Sequence, residues 1–212
     1  MPLPFDLAEA ERTLRGVDPR LALVIERHGP CRLEPDGVQS PFAALAESIA
    51  YQQLTGKAAA TIFSRVLALY RPRRFPRPED VIATADEALR SAGLSRAKVA
   101  AIKDLAARVL DGTVPSLSQL RRLSDAEIVE RLTAVRGVGP WTVEMLLIFR
   151  LGRPDVLPAS DYGVRKGFKR AFRTRGLPTP AQVLRRGERW RPYRSVASWF
   201  LWRAADSTDG RA

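Results

Sequence analysis

The chain contains few of the side chains on which enzymes most often rely. Among its 212 residues, His28 is the only histidine and Cys31 is the only cysteine. These single copies exclude a disulfide framework, a four-cysteine zinc site and a cysteine-ligated iron–sulfur cluster, and they argue against a Ser-His or Cys-His catalytic pair. We expect structural roles for both residues. Any reaction must therefore use carboxylates, hydroxyls or backbone groups.

One carboxylate stands at a position where chemistry is plausible. Asp161 follows Ser160 at the predicted start of a helix, where free backbone amides and the helix dipole stabilise a negative charge. Most carboxylates in the first turn of a helix only cap it. On position alone, both a capping role and a catalytic role therefore stay open.

A glycine-rich turn offers a second kind of chemistry, based on backbone amides. Gly137 and Gly139 lie between two helical segments, and without Cβ atoms the chain can approach another backbone closely. Successive amides that lead into the next helix form a concave donor surface, which suits a DNA phosphate without reading the base sequence. The alternative is a plain corner between two helices.

The charge of the chain predicts a polyanionic partner. There are 35 Lys and Arg against 23 Asp and Glu, a formal net charge of +12, which points to nucleic acid. The apolar runs stay far below the roughly 20 residues that a bilayer span needs, and the first ten residues do not have the pattern of a secretory signal. We expect no membrane partner and a cytoplasmic location with the chromosomal DNA.

The elements that must position these residues are predicted to be helices throughout. Pro, Gly and capping residues divide the chain into helix-sized segments, and no stretch shows the alternation of a β-strand. The region 71–78, with three prolines, is predicted to be a loop, and 206–212 a disordered tail. We predict helices over about 40–53, 56–70, 84–93, 95–112, 124–135 and 141–150, from 160, from 179, and over about 192–205.

We predict an all-α fold of two helical lobes with a DNA-binding cleft between them. One lobe spans about 40–155 and contains a hairpin of two helices at about 124–150. The other lobe combines 1–39 with 156–212 and carries Asp161.

Several segments together resemble a known superfamily. The stretch 132–142, Leu-Thr-Ala-Val-Arg-Gly-Val-Gly-Pro-Trp-Thr, resembles the helix-hairpin-helix of DNA repair glycosylases, and 157–167 resembles their catalytic-aspartate segment. Similarity at 48–59, 93–98 and 188–195 extends the resemblance from about residue 18 to about residue 204. The most similar branch is that of the alkylated-base enzymes, DNA-3-methyladenine glycosylase II. The β-rich N-terminal domain of the bacterial form is expected to be missing.

This resemblance implies a mechanism. Asp161 would be the catalytic residue, which stabilises an oxocarbenium-like sugar as the base departs and guides the attacking water. Members with lyase activity place a lysine nucleophile at the position matched here by Trp141. The chain is therefore identified as a monofunctional enzyme that requires no cofactor, without an iron–sulfur cluster.

The resemblance also assigns binding roles. Rings at 141, 162 and 202 would line a pocket for a flipped, positively charged base, and a leucine would fill the gap left in the duplex. Pocket residues are Trp141, Tyr162, Trp202 and Met145; the duplex wedge is Leu54 with Gln53; phosphate contacts are Gly137, Gly139, Thr142, Arg136, Arg165 and Lys166. The carbonyls of Thr133, Val135 and Val138 would hold a structural Na⁺ or K⁺.

The predicted function is hydrolytic excision of N3- and N7-alkylpurines, such as 3-methyladenine, from double-stranded DNA in base excision repair, by a monomer. Two alternatives stay open. One is a catalytically idle helix-hairpin-helix DNA-binding protein, against which Asp161 argues. The other is a glycosylase for deaminated or mismatched bases on the same scaffold, which only a panel of substrates would separate.

Overall fold

The computed structural model describes residues 3–36 and 40–207. Within these residues the chain forms thirteen α-helices and one short 3-10 helix, and it has no β-strand. The predicted all-α fold is therefore confirmed. The elements are α1 (Leu7–Val17), α2 (Pro19–His28), α3 (Pro41–Tyr51), α4 (Gly56–Ala68), α5 (Pro78–Ala83), α6 (Asp86–Ser91), α7 (Arg96–Leu110), α8 (Leu117–Leu120), α9 (Asp125–Thr133), α10 (Pro140–Phe149), α11 (Tyr162–Phe172), α12 (Pro180–Gly187), η1 (Glu188–Trp190) and α13 (Arg194–Asp206).

Capping side chains explain where several helices begin. The hydroxyl of Ser124 accepts a hydrogen bond from the N–H of Glu127 at 3.3 Å, and the carboxylate of Glu127 accepts one from the N–H of Ser124 at 2.8 Å. Thr179 and Gln182 form the same reciprocal pair at the start of α12. Such capping boxes satisfy amides that have no partner inside the helix. Both helix starts agree with the prediction.

The predicted helix start at Thr84 is wrong. Thr84 ends α5, a helix that the sequence analysis missed, and its hydroxyl donates to the carbonyl of Asp80 at 2.7 Å. The same hydroxyl pairs with that of Tyr70 at 3.0 Å. Helix α6 begins at Asp86 without a side-chain cap. The hydroxyl is therefore used by the preceding helix rather than by the following one.

The chain divides into two compact units, and the first comprises Met1–Gly37 and Leu147–Ala212. Its most buried helix is α13, in which Val196, Phe200 and Leu201 are fully buried. Helix α11 packs against α13. A Cβ at Gly167 would lie 1.8 Å from the carbonyl oxygen of Leu201. Glycine is therefore required where α11 and α13 make close contact, and this contact fixes the helix that begins after Asp161.

The second unit spans Val38–Leu146. Helices α3 and α7 pack together in its core, α5 packs on α7, and Leu45, Ile49 and Leu105 are fully buried. This unit contains α9, the glycine turn and most of α10. The hairpin is thus built on a helical core of its own.

The boundaries of the units lie at 37/38 and 146/147, whereas the predicted lobe ran from about 40 to 155. The end of α10 belongs to the first unit because the ring of Phe149 packs on Trp202 at 5.5 Å and its carbonyl accepts the N–H of Asp36 at 2.9 Å. Asp206 ends α13, and the predicted tail from 208 onward lies outside the described residues. Across the described ranges, no helix has both the length and the apolarity to span a membrane.

Candidate active site

Asp161 lies at the start of α11, where two donors hold its carboxylate. The sequence predicts that this helix starts at Ser160, but Asp161 itself is the N-cap. Its Oδ1 accepts the backbone N–H of Val164 at 2.7 Å and the indole N–H of Trp202 at 2.8 Å. The half-buried carboxylate is therefore oriented both by its own helix and by α13.

The loop that precedes α11 is fastened to the first turn of α13. Arg194 donates to the carboxylate of Asp155, with Nε–Oδ1 and Nη2–Oδ2 distances of 2.6 and 3.0 Å. The buried hydroxyl of Ser195 accepts the N–H of Val156 at 3.0 Å and donates to the carbonyl of Arg153 at 2.6 Å. Paired charges and buried hydrogen bonds restrict a loop to one geometry. The loop that leads to Asp161 is therefore held in one position relative to the first turn of α13.

Gly163 makes room for the indole of Trp202. A Cβ at Gly163 would lie 2.8 Å from Cδ1 of Trp202 and 3.1 Å from Oδ1 of Asp161. Real Cβ atoms do not approach carbon this closely, so any side chain here would displace the indole. The sequence predicted a base-stacking role for Trp202, which stays a prediction. Its hydrogen bond to Asp161 was not foreseen, because it joins helices 41 residues apart.

Tyr162, another predicted pocket residue, is the first residue of α11, and 67% of its surface is exposed. An aromatic side chain this exposed does little for the hydrophobic core. It is therefore compatible with a contact to a ligand.

The glycine turn of the hairpin, residues 134–139, joins α9 to α10. Gly137 has a φ of +77°, a conformation that L-residues with a side chain rarely adopt, so the turn itself requires glycine there. Gly139 is different. A Cβ added at Gly139 would meet none of the described atoms within 4 Å, and its φ lies outside the left-handed region. The fold of the chain therefore does not require glycine at position 139.

Two side chains outside the hairpin hold its turn. Oδ2 of Asp104 on α7 accepts the backbone N–H of Arg136 at 2.8 Å. Nε2 of Gln52 donates to the carbonyl of Gly137 at 2.9 Å. Neither contact is predictable from the sequence, because the partners lie 32 and 85 residues apart and no local pattern relates them.

A groove in the second unit, about 570 Å³ in volume, lies beside the hairpin. This volume is within the range of about 300–1,000 Å³ that is typical of ligand sites. It is lined by Ser48, Tyr51, Gln52, Gln53, Leu54, Trp141, Thr142 and Met145. Trp141 has 46% of its surface exposed, whereas Thr142 has 5%. The groove thus brings the predicted pocket residues Trp141 and Met145 together with the predicted wedge residues.

The wedge loop, residues 52–55, follows α3. Gln53 has a φ of +57°, and a left-handed conformation in a residue other than glycine costs on the order of 1–3 kcal/mol. Leu54 follows with 40% of its surface exposed. Nζ of Lys98 donates to the carbonyls of Ala50 and Gln52 at 2.7 and 2.8 Å, and burial lowers the pKa of Lys98. The side chain of Lys98 therefore holds the strained, exposed wedge loop in place.

The basic side chains predicted to contact phosphate differ in their surroundings. Arg136 is exposed at the hairpin turn, and Lys166 is half-buried on α11. Arg165 donates from Nε to the carbonyl of Pro178 at 2.7 Å. Part of the Arg165 guanidinium therefore fastens the loop before α12.

The predicted cation ligands lie at the hairpin, where α9 ends and the turn begins. The carbonyl of Val135 accepts the N–H of Val138 at 3.0 Å, which leaves it one further lone pair. Carbonyls of Thr133 and Val138 are oxygen donors of the kind that hard cations prefer. The donor set fits Na⁺ or K⁺, and the ion stays a prediction.

Cys31 is not suited to nucleophilic chemistry. Burial raises the pKa of its thiol to about 12, so the reactive thiolate is scarce near neutral pH. Its backbone N–H donates to the carboxylate of Glu11 at 2.6 Å. These contacts fit the structural role expected for this residue.

Comparison with known proteins identifies the family. Residues 46–192 match the HhH-GPD superfamily of base excision DNA repair proteins. The chain therefore belongs to this superfamily, and the predicted family is confirmed.

One curated relative and two solved structures are similar to this chain over most of its length. DNA-3-methyladenine glycosylase 1 of Schizosaccharomyces pombe is 37% identical over 206 residues, which are 96% of this chain and 90% of that protein. The solved structure of the 3-methyladenine DNA glycosylase Mag1 of the same yeast, in complex with abasic DNA, matches at 37% identity with a TM-score of 0.77, over 92% of this chain and 95% of that one. The crystal structure of DNA-3-methyladenine glycosidase from Bacillus halodurans matches at 36% identity with a TM-score of 0.84, over 93% and 89%.

Proposed function

We propose that this chain is a monofunctional DNA glycosylase, which hydrolyses the N-glycosidic bond of N3- and N7-alkylated purines in double-stranded DNA and acts as a monomer. The observation that carries the proposal is the carboxylate of Asp161, held at the start of α11 by the donors of Val164 and Trp202. It lies in a chain whose residues 46–192 match a family of base excision DNA repair proteins. The names of the similar proteins support alkylated purines as the substrate class.

The proposed reaction needs little from the protein besides one oriented negative charge. The bond between C1′ of the sugar and the base nitrogen breaks, and its electron pair leaves with the base. An alkylpurine that carries a positive charge becomes neutral as it departs, so no general acid is required. The sugar gains positive charge, which the carboxylate of Asp161 stabilises. A water oxygen then bonds to C1′ and loses one of its two protons to the surrounding solvent, which leaves an abasic site.

Exposed aromatic rings suit the base that must leave the duplex. An alkylpurine cation is attracted to the face of an electron-rich ring by the ring quadrupole. Trp141 in the groove and Tyr162 beside Asp161 have 46% and 67% of their surfaces exposed. Each of these two rings therefore presents an exposed aromatic face of the kind that suits a base that has been flipped out.

The hairpin supports DNA as the partner. Glycine at position 139 is not required by the fold, but close approach of a phosphate to the backbone amides would require it. The similarity to a glycosylase solved with abasic DNA agrees with this assignment.

The proposal is tested by incubating the protein with duplex DNA treated with a methylating agent and identifying the released bases by mass spectrometry. We expect release of 3-methyladenine and 7-methylguanine and formation of abasic sites without strand cleavage. A parallel panel of duplexes with deaminated or mismatched bases tests the alternative that the chain is a glycosylase for such bases. Release from that panel alone would replace the proposed substrate class. A protein that binds duplex DNA but releases no base would be the idle binding protein.

A further inference from the structure

A basic concavity lies within the first unit, between α2, α11 and the end of α13, and we name it the α2–α11 basin. Its volume is about 410 Å³. Among the described lining residues none is acidic, and five are cationic: Arg20, Arg27, Lys169, Arg170 and Arg173. Leu23, Val24, Ala171 and Ala204 supply apolar surface between them. The basin therefore offers positive charge around an apolar floor.

Part of the basin lining comes from a segment of unusual charge. Residues 162–187 contain eight Lys and Arg and no Asp or Glu. The fold uses three of these eight directly. Arg165 donates to a loop carbonyl, Arg170 to carbonyls at the end of α13, and Arg186 to a buried carboxylate. The exposed cations at the basin have no such structural use among the described contacts, so folding does not explain why they are there.

The surroundings of His28 reflect the same excess of positive charge. His28 lines the basin, and burial together with the positive charges of Arg27 and Arg203 lowers its pKa. A carboxylate close to the ring would have the opposite effect. The histidine is therefore neutral near pH 7, and the positive charge of the basin comes from Lys and Arg.

The chemistry of the basin selects a class of ligand. Among its described lining residues there is no Phe, Tyr or Trp, so it lacks the stacking surface on which proteins hold unpaired bases. Lys and Arg without aromatic neighbours are typical of contacts to phosphate, which position nucleic acid without reading its sequence. The favoured ligand is therefore a phosphodiester backbone.

We propose that the α2–α11 basin is a second, sequence-independent binding site for the DNA backbone, additional to the hairpin. The inference rests on the proposed function only in taking DNA as the partner. Each phosphate contact contributes about 0.9 to the slope of log affinity against log salt. A second site of this kind holds undamaged duplex by charge alone and needs neither the groove nor Asp161.

The test compares two double variants that lose the same charge from the same unit. In Arg27→Gln/Lys169→Gln the charge is lost from the basin; in the control, Arg12→Gln/Arg32→Gln, it is lost from exposed positions on α1 and after α2. Affinity for an unmodified duplex is measured as a function of salt. We expect the slope to decrease by up to about 1.8 for the basin variant, from two lost contacts, and to stay near wild type for the control. Equal slopes in the two variants would overturn the proposal.

A second measurement separates the basin from the hairpin. In the Gly139→Asp variant, which obstructs the hairpin, weak salt-dependent binding of unmodified duplex should persist, and the added basin substitutions should weaken it further. If they have no further effect, the basin does not bind DNA independently. Inorganic pyrophosphate is tested as a competitor in the same assay. If pyrophosphate displaces duplex no better than an equal ionic strength of chloride, DNA backbone is the ligand; strong displacement at low concentration would identify a site for a small phosphate anion instead.

Measuring base release by the basin variant and by the wild-type protein tests this inference separately from the proposed function. With enzyme in excess over methylated duplex at low salt, the basin variant should release bases at the wild-type rate, because neither substitution touches Asp161 or the groove. A loss of base release in the basin variant with an unchanged salt slope would assign Arg27 or Lys169 to catalysis and overturn the basin. A wild-type protein that releases no base refutes the proposed function, and the salt slopes still decide whether the basin binds DNA.

Discussion

Trp202 donates its indole N–H to Oδ1 of Asp161 at 2.8 Å, the same oxygen that accepts the backbone N–H of Val164. Two donors on one carboxylate oxygen fix the torsion of the side chain. This arrangement needs α11 and α13 to be in close contact, which Gly163 and Gly167 allow. The proposed catalytic group is therefore placed by helix packing as well as by its own helix start.

The first prediction concerns the charge of Asp161. Asparagine is as good an N-cap as aspartate, and its carbonyl oxygen can accept the same two hydrogen bonds. Asp161→Asn therefore removes the charge and can keep both of these hydrogen bonds. We expect base release to fall by on the order of 10²–10³-fold, as when an enzyme loses one electrostatic stabiliser, while duplex affinity stays near wild type. Single-turnover release from methylated duplex and a binding titration provide the two measurements. Wild-type turnover in this variant would move catalysis to another residue.

The second prediction concerns the indole donor. Trp202→Phe keeps a ring against Phe149 but removes the N–H that holds Asp161. A hydrogen bond to a charged group contributes about 1.5–3 kcal/mol, so we expect base release to slow by roughly tenfold or more. The matched control is Trp199→Phe on the same helix, whose ring packs on Phe200. Equal rates in the two variants would mean that the indole N–H has no positioning role.

The third prediction is that borohydride will not trap a covalent adduct with DNA. A Schiff base needs a lysine near C1′, and the position used by lyases in this superfamily is matched here by Trp141. Lys98 has a lowered pKa, but its Nζ is bonded to two carbonyls at the end of α3. The variant Trp141→Lys is the positive control and should gain a trapped adduct. An adduct in the wild type that disappears on substitution of one lysine would contradict the monofunctional assignment.

The helices that carry the site were largely predictable from the sequence, because caps and glycines act locally. Ser124 and Thr179 identified α9 and α12, and the hairpin phrase identified the family. The error at Thr84 arose because a hydroxyl can serve the helix before it as well as the one after it. Asp161 was correctly predicted to lie at the start of a helix, but that start was predicted at its neighbour Ser160.

Partners that are distant in sequence were beyond prediction. Gln52, Asp104 and Lys98 hold the turn and the wedge loop through carbonyls and an amide, groups that every residue has. No spacing rule connects such a side chain to its target. Trp202 was predicted to stack on a base because it is an aromatic residue. Its indole N–H can reach Asp161 only because α13 packs beside α11, and the sequence does not show that packing.

The fourth prediction concerns stability in acid. Asp18 is fully buried and accepts hydrogen bonds from Nε and Nη2 of Arg186 at 2.8 and 2.7 Å and from the indole of Trp190 at 2.8 Å. Burial alone would raise the pKa of Asp18, but these bonds and the charge of Arg186 outweigh it and lower the pKa below 3.8. A lowered folded-state pKa stabilises the fold above the pKa of the unfolded chain, and this stabilisation is lost as pH falls through the folded value.

Asp18→Asn should therefore destabilise the protein at neutral pH and lose part of its sensitivity to acid. Breaking a buried pair costs about 3–5 kcal/mol, and each kcal/mol lowers the Tm of a protein of this size by about 2–4 °C. Thermal unfolding followed by circular dichroism at neutral pH and near pH 3 measures both effects. An unchanged Tm at neutral pH, or an unchanged difference between the two conditions, would show that the pair does not govern acid stability.

The fifth prediction concerns Gly139, at which an added Cβ would meet no described atom within 4 Å beyond the neighbouring residues. Gly139→Asp should fold normally and yet bind duplex poorly, because its carboxylate would face a DNA phosphate. Like charges in contact cost several kcal/mol, so we expect roughly 100-fold weaker binding, with similar losses for every duplex sequence. Arg136→Ala should be milder, with a salt slope smaller by about 0.9 if its exposed side chain contacts one phosphate.

Gly16→Asp is the matched control for Gly139→Asp, because Gly16 on α1 also has open space around it. It adds the same charge and should leave duplex affinity near wild type. Circular dichroism and thermal unfolding establish that both variants are folded before binding is compared at one salt concentration. If Gly139→Asp is folded and binds duplex as well as Gly16→Asp does, the turn is only a structural corner between α9 and α10. DNA would then have to bind through other surfaces, and the role proposed for the hairpin amides would be wrong.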